Sequence, residues 1–324
     1  MPSTYDESQR NSIHIGLVNN MPDSALEATE RQFLTLLEAA AGDIEIRVTF
    51  YAIPEVPRSD SGKRYVSSYR PISDLWDSRM DGLIVSGTEP RAANLEAEPY
   101  WRSLVQLMDW ADSNTASSVW SCLAAHAAVL HFDGIRRRKL DAKRFGIFDC
   151  TLADTNRLTN GVSPRMWMPH SRWNDLPEDA LSSAGYRVLM RSSAGVDAFA
   201  KQRKSLFVCF QGHPEYEEDT LLKEYRRDVK RYLTRESDTY PTMPHDYFDE
   251  QTMASCLALQ ERAMYDRRPE ISTDFPVVGS VRNTWKLAAT RIYRNWFSYL
   301  AEQQPRVCNV GAGFMPAFKA QSSI

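Results

Sequence analysis

The sequence predicts an α/β fold, a doubly wound and mostly parallel sheet flanked by helices, with extra helices toward the C-terminus. Three observations predict it. Short apolar runs, SIHIGLV, DGLIVSG and SSVWS, alternate with longer segments whose apolar residues fall at helical spacing. The runs stop at small or turn-forming residues instead of continuing as long hydrophobic stretches. With 324 residues, 43% of them hydrophobic and 25% charged, the chain can cover such a sheet on both faces.

The elements follow in order. Ser12 to Val18 is a β-branched run that meets a turn at Asn19-Asn20-Met21-Pro22-Asp23, after which LEATERQFLTLLEAA is helical. IEIRVTFYAI alternates as a strand does, DGLIVSG is a buried strand ending in a glycine turn, and EPYWRSLVQLMDWADS is an amphipathic helix. SSVWS is a short strand that runs straight into Cys122 and the small-residue helix LAAHAAVLHF. From roughly 145 to 210, short strands FGIFDC, YRVLMRSS, VDAFA and SLFVCFQG are separated by turns. Beyond Pro214 comes a long charged helix, YEEDTLLKEYRRDVKRYLTRE, with further helices near 247 to 265 and 283 to 302. We divide the chain into a flexible N-terminus over 1–12, a single domain over 13–302 and an irregular tail over 303–324. In such sheets ligands bind at the carboxyl ends of the strands, so chemistry is sought there.

The 42 acidic and 39 basic residues leave a formal charge of −3, without the global field that would recruit nucleic acid or an anionic membrane. No run approaches the roughly 18 apolar residues a bilayer span needs. The start, MPSTYDESQRNS, is polar and acidic rather than basic then apolar, which points to a cytoplasmic protein. Five cysteines, at 122, 150, 209, 256 and 308, are odd in number and form no CxxC pair. Reduced thiols are expected, with no disulfide framework and no structural metal.

A cysteine between a buried strand and the first turn of a helix is presented at the sheet edge beside free helix-terminal N–H groups. These favour a thiolate and can bind an oxyanion. V-W-S-Cys122-L-A-A supplies that context, and Ala124 and Ala125 permit close helix–strand packing. Further on, V-C-F-Q-G-His213-Pro-Glu215 ends a strand in a glycine and delivers an imidazole, then a carboxylate two residues later. An imidazole takes a thiol proton when a carboxylate fixes its tautomer and stabilises its charged form. Cys122, His213 and Glu215 therefore form one nucleophilic constellation. His126, a turn beyond Cys122, is read as packing or substrate lining, and Cys150, Cys209 and Cys256 as core.

The strings GLVNNMPDSALEATERQFLTLL, DGLIVSGTEP, WSCLAAHAAV, MPHSRW, GHPEYEEDTLLKEYRRDV and NTWKLAATRIYRNWFSYL resemble, in that order, the homoserine O-acyltransferases of the MetA type. That family lies within the class I glutamine-amidotransferase-like superfamily, and the resemblance runs over roughly residues 13 to 302. It implies a ping-pong reaction in methionine biosynthesis. Cys122 takes an acyl group from succinyl-CoA as a thioester, His213 acts as base oriented by Glu215, and the hydroxyl of L-homoserine accepts the group. It further implies an oxyanion held by the Leu123 N–H, homoserine bound by Arg172 and Arg227 with Ser171 and Tyr216 in lesser parts, a homodimer, and acyl-CoA as co-substrate without a resident cofactor.

The sequence departs from the family at two places. Where members carry a lysine soon after the MP dipeptide this chain has Ser24 beside Asp23, so either another cation replaces it or the substrate differs. In the loop after DGLIVSG, where the resemblance implies glycine for succinyl-CoA and glutamate for acetyl-CoA, the counted position falls near Arg91. An arginine can pair with the free carboxylate of a succinyl group, which leans the reading toward that donor, although Glu89 stands close by. Acetyl-CoA as donor, another hydroxyl amino acid as acceptor, glutamine amidotransfer and a non-catalytic binder remain as alternatives.

Overall fold

Side chains along a strand point alternately to the two faces of the sheet, and that alternation decides which helices pack where. The computed structural model describes residues 12–304 apart from 194, 277, 280 and 282. The expectations for the first eleven residues, for the tail from 305 and for Cys308 lie outside the described residues.

The N-terminal half is built of β1 (Ser12–Val18), α1 (Leu26–Ala41), β2 (Glu45–Tyr51), α2 (Asp60–Val66), α3 (Ile72–Trp76), β3 (Gly82–Val85), α4 (Trp101–Asn114), β4 (Ser117–Ser121) and α5 (Leu123–Asp133). The second half adds β5 (Arg138–Leu152), β6 (Arg165–Asp175), α6 (Glu178–Ser183), β7 (Arg187–Ser192), β8 (Gly195–Gln202), β9 (Leu206–Phe210), α7 (Thr220–Leu233), α8 (Glu250–Tyr265) and α9 (Lys286–Gln303). All nine strands join one sheet in the order β2-β1-β3-β4-β9-β8-β7-β5-β6.

Strands β2, β1, β3, β4 and β9 run parallel to one another. Strands β8, β7, β5 and β6 extend the sheet with antiparallel pairings. The sheet is thus mixed. Its parallel half carries crossover helices; in the other half β7, β8 and β9 follow one another as antiparallel neighbours, while the connection through α6 carries the chain from β6 past β5 to β7.

Ile13, Ile15, Leu17, Ile84 and Val119 face α1 and α9, meeting Phe33, Leu37, Trp296 and Phe297. Val18, Leu83, Val85 and Trp120 point the other way, onto Leu104, Leu107 and the alanines of α5. Each such side chain contributes about 1.5–3 kcal/mol when fully buried. A third cluster packs Tyr225 and Val229 of α7 with Cys256 and Leu259 of α8 against Phe145 and Ile147 of β5. No helix among the described residues is long and apolar enough to cross a membrane.

Candidate active site

Cys122 occupies the junction of β4 and α5 with φ 50 and ψ −111, a left-handed backbone that costs a non-glycine residue about 1–3 kcal/mol. The junction is held from two sides. The Cys122 N–H donates to the Phe210 carbonyl across the sheet at 2.7 Å, and the His126 N–H donates to the Cys122 carbonyl at 3.2 Å. Leu123 opens α5, so its N–H has no acceptor within the helix and is available to a ligand. Gly87, after β3, lies against this elbow: a Cβ there would come within 3.2 Å of the Leu123 nitrogen and of the Ser121 carbonyl oxygen.

The neighbouring strand β9 supplies the second element. Its exit is fixed by the Gln211 and His213 N–H groups, which donate to the carbonyls of Asp197 and Pro169 at 2.8 Å each. Beyond it the Trp285 indole N–H donates to the Tyr216 carbonyl at 2.8 Å and anchors the turn. His213 and Glu215 are 6% and 7% exposed, and the imidazole Nδ1 stands 2.8 Å from Glu215 Oε1. The same carboxylate oxygen accepts from the Ser121 hydroxyl at 3.4 Å. The Cys122 side chain also acts on the ring. Burial opposes charge on His213, but the Glu215 carboxylate and Cys122 outweigh it, and the imidazole titrates well above its ordinary value. With Glu215 at Nδ1, Nε2 is the nitrogen left for the thiol proton.

A polar chain leads away from the imidazole. The Tyr216 ring stacks on His213 with centroids 4.3 Å apart. The Tyr216 hydroxyl donates to Glu224 Oε1 at 2.6 Å, and the Ser171 hydroxyl donates to Glu224 Oε2 at 2.5 Å. Lys143 reaches the same helix, 3.0 Å from Asp228 and 3.9 Å from Glu224. Arg227 pairs with Asp228 at 2.9 Å and lies 3.8 Å from Glu224, its side chain 39% exposed. The structure therefore gathers Ser171, Tyr216 and Arg227 into one polar cluster beside His213.

Arg172 goes elsewhere. Adjacent residues of a strand face opposite sides, so with Ser171 turned to α7, Arg172 turns inward. It donates to the Asn174 carbonyl at 2.7 Å, to Asp175 at 2.8 Å and to His170 Nδ1 at 3.2 Å. His170 is itself 2.7 Å from Asp197. His126 pairs with the Gln211 side chain at 2.9 Å; burial, helped by Arg172, pushes it down to about 3, so it is neutral at ordinary pH. Burial pushes Cys150 and Cys209 up, and Cys256 up to about 11, as suits core thiols.

At the two places of departure the structure is specific. Ser24 is exposed, and the cation at this loop is Arg58, whose guanidinium donates to the carbonyls of Asn19 and Met21 at 3.1 and 2.9 Å and contacts Asp23 at 3.4 Å. Arg91 has an exposed side chain; only its backbone N–H is held, by Glu98 Oε1 at 2.6 Å. Glu89 pairs with Arg231 of α7 at 3.5 Å.

Sequence reasoning missed Lys143, Glu224 and Asp228. Glu224, Arg227 and Asp228 stand at i, i+3 and i+4, one face of a helix, a spacing that would have found them. Nothing local marks Lys143, which lies where the β5–β6 register shifts between Lys139 and Arg144. Among the described residues no cluster of His, Cys, Asp and Glu is arranged to hold a metal ion.

Comparison with known proteins places these residues in context. The family model described as homoserine O-succinyltransferase matches residues 3–306. A homoserine O-succinyltransferase of Rhodopseudomonas palustris is 46% identical over 296 residues, 90% of this chain and 89% of the relative. One of Bradyrhizobium japonicum is 42% identical over 308 residues, 93% of this chain and 94% of the relative. In fold, a solved glutamine amido transferase from Methylobacillus flagellatus superposes with a TM-score of 0.50 at 13% identity, covering 89% of this chain and 95% of that one.

Proposed function

The chain belongs to the homoserine O-succinyltransferase family, and on that premise we propose that its acyl transfer runs through a thioester on Cys122. The reaction moves the succinyl group of succinyl-CoA to the hydroxyl of L-homoserine, a step of methionine biosynthesis.

In the first half, Cys122 Sγ attacks the thioester carbonyl of succinyl-CoA while His213 Nε2 takes the thiol proton. Glu215 stabilises the imidazolium, and the Leu123 N–H receives the developing oxyanion. Collapse expels CoA, which leaves as the thiol with the proton from His213. In the second half, His213 removes the proton of the homoserine hydroxyl, whose oxygen attacks the Cys122 thioester, and the cysteine leaves with that proton restored. Ser171, Arg227 and Tyr216, joined through Glu224, are proposed to bind the amino acid, with Lys143 balancing the carboxylates of α7. Arg172, paired with Asp175, is proposed to bear on the substrate only indirectly, by fixing His170 and Asp175 within β6. The chemistry calls for acyl-CoA as co-substrate and for no resident cofactor. We also propose a homodimer in the cytoplasm; Trp167 and Trp173 on edge strand β6, 44% and 51% exposed, are one apolar surface that could meet a second copy.

The observation that carries the proposal is the buried Glu215–His213 pair acting on Cys122, which stands on a strained elbow. Intact-mass measurement after brief exposure to succinyl-CoA should show one succinyl adduct that homoserine discharges and that Cys122→Ala lacks. Persistent absence of the adduct from the native protein would overturn the thioester route.

A further inference from the structure

After α5 the chain reverses at Gly134, which is left-handed with φ 66, and Ile135 is followed by three consecutive arginines. The outer two are anchored: Arg136 pairs with Glu96 at 3.0 Å and Arg138 with Asp175 at 2.9 Å. Between them Arg137 is half-buried, and among the described residues it makes neither an ion pair nor a hydrogen bond. The ionisable groups whose fields reach its guanidinium are Tyr100, Cys122 and Glu98, and its own field reaches His126, one turn of α5 past Cys122.

The wall next to Arg137 is also incomplete. Glu98 Oε1 accepts the N–H groups of Arg91 and Ala92 at 2.6 Å each and so fixes the loop after β3. Glu98 Oε2 and the Tyr100 hydroxyl, on residues 4% and 2% exposed, are buried without a partner. The guanidinium of Arg137 makes no hydrogen bond, and its counter-charge is the Glu98 carboxylate beside the Tyr100 hydroxyl, so its donors remain open to a second carboxylate. A guanidinium takes a carboxylate in a two-pronged geometry, and a phenolic hydroxyl can add a further hydrogen bond.

We propose that Arg137, with the Tyr100 hydroxyl beside it, receives the free carboxylate of the succinyl group as the acyl chain forms its thioester on Cys122, and so selects the acyl donor. Arg91 does not do this, because its side chain is exposed and only its backbone is tied to the wall. Glu98 positions both the loop and Arg137; its one unpaired oxygen keeps the guanidinium near without pairing with it. The inference rests on the Cys122 thioester reading and names the specificity-determining residue for that reaction.

An anion at Arg137 has two possible sources, the acyl carboxylate and a phosphate of CoA, and acetyl-CoA separates them because it keeps the phosphates and lacks the carboxylate. Native protein, Arg137→Gln, Arg137→Lys and Arg91→Ala are compared with succinyl-CoA and acetyl-CoA by the rate at which the Cys122 adduct forms. Arg137→Gln should slow the succinyl reaction by about 30- to 100-fold, the scale of a lost charged hydrogen-bonding pair, and leave the acetyl reaction within about threefold. Arg137→Lys should recover part of the succinyl rate, and Arg91→Ala should change both rates by less than about threefold. Equal losses with the two donors would move Arg137 onto the CoA moiety or into a structural role, and no loss, or a larger loss from Arg91→Ala, would likewise overturn the proposal. Should Arg137→Gln fail to fold, the succinyl-to-acetyl ratio of Arg137→Lys decides, and an unchanged ratio overturns it. Failure of the native protein to form any adduct would instead strike the thioester reading itself.

Discussion

At Cys122 the backbone carries what composition hides. A lone cysteine in an apolar run is ordinarily core, as Cys150 and Cys209 are here. What separates Cys122 is a positive φ and an imidazole held by a carboxylate 2.8 Å away. Because Glu215 and Cys122 raise His213 against its burial, the imidazole becomes a free base only as pH rises beyond the ordinary histidine range. The acid limb of adduct formation should therefore rise through an apparent pKa above 6.5. Glu215→Gln removes the carboxylate that raises the imidazole, so burial prevails. That limb should move to lower pH, and the plateau rate should fall by about 10²–10⁴-fold with the loss of imidazolium stabilisation. The pH dependence of single-turnover adduct formation checks both; an unmoved acid limb would remove Glu215 from its assigned part. These three residues were legible in the sequence because each sits at the end of a strand, where one glycine or small residue announces a turn. Arg172 was less so, since the two-residue period of β6 turns it away from the side Ser171 takes.

The parallel half of the sheet was legible element by element, because strands buried on both faces read as continuous apolar runs between helices. Strand β6 was not. MWMPHSRWND has a proline, two tryptophans and three buried polar residues, and it forms a strand only because it lies at the edge, where Pro169 forfeits no ladder bond. Helix α7 was legible as a helix through Leu221, Tyr225, Val229 and Tyr232 on its buried face, but of its polar face only Arg227 was singled out. Glu224 on that face accepts hydrogen bonds from both Ser171 and Tyr216, so α7 fixes β6 and the His213 turn together. Glu224→Ala frees both hydroxyls and leaves the Lys143–Asp228 pair in place. We expect KM for homoserine to rise about tenfold or more while adduct formation from succinyl-CoA changes by less than about threefold, the division a loss of two acceptor-side hydrogen bonds predicts. Equal damage to both half-reactions would mean that α7 serves the whole site rather than the acceptor.

Across the molecule, buried ionisable groups tie stability to pH in a definite direction. His126 is pushed down to about 3 by burial with Arg172 acting the same way, and His170 is pushed down to about 4 by burial against the opposing pull of Asp197. Both are protonated near 6.5 in the unfolded chain but stay neutral in the fold until far lower pH. Between those limits the unfolded state binds more protons, so stability must fall as pH falls from about 6.5 toward 4, by up to about 1.4 kcal/mol per pH unit for each histidine. His213 works in the opposite sense and in another window: its raised pKa gives stability that is fully present below 6.5 and fades as pH rises through the folded value, so it leaves the acid slope untouched. Asp175 and Asp228, held below the usual carboxylate range by their arginine and lysine partners despite burial, contribute stability that is lost only at still lower pH. Urea midpoints measured at steps between pH 6.5 and 4.5 should therefore decline steadily. His126→Gln, which removes one titrating group and can still hydrogen-bond Gln211, should reduce the slope by roughly half. Midpoints that stay flat across this window would show that the folded protein carries these two histidines charged, and with them a different electrostatic interior behind Cys122.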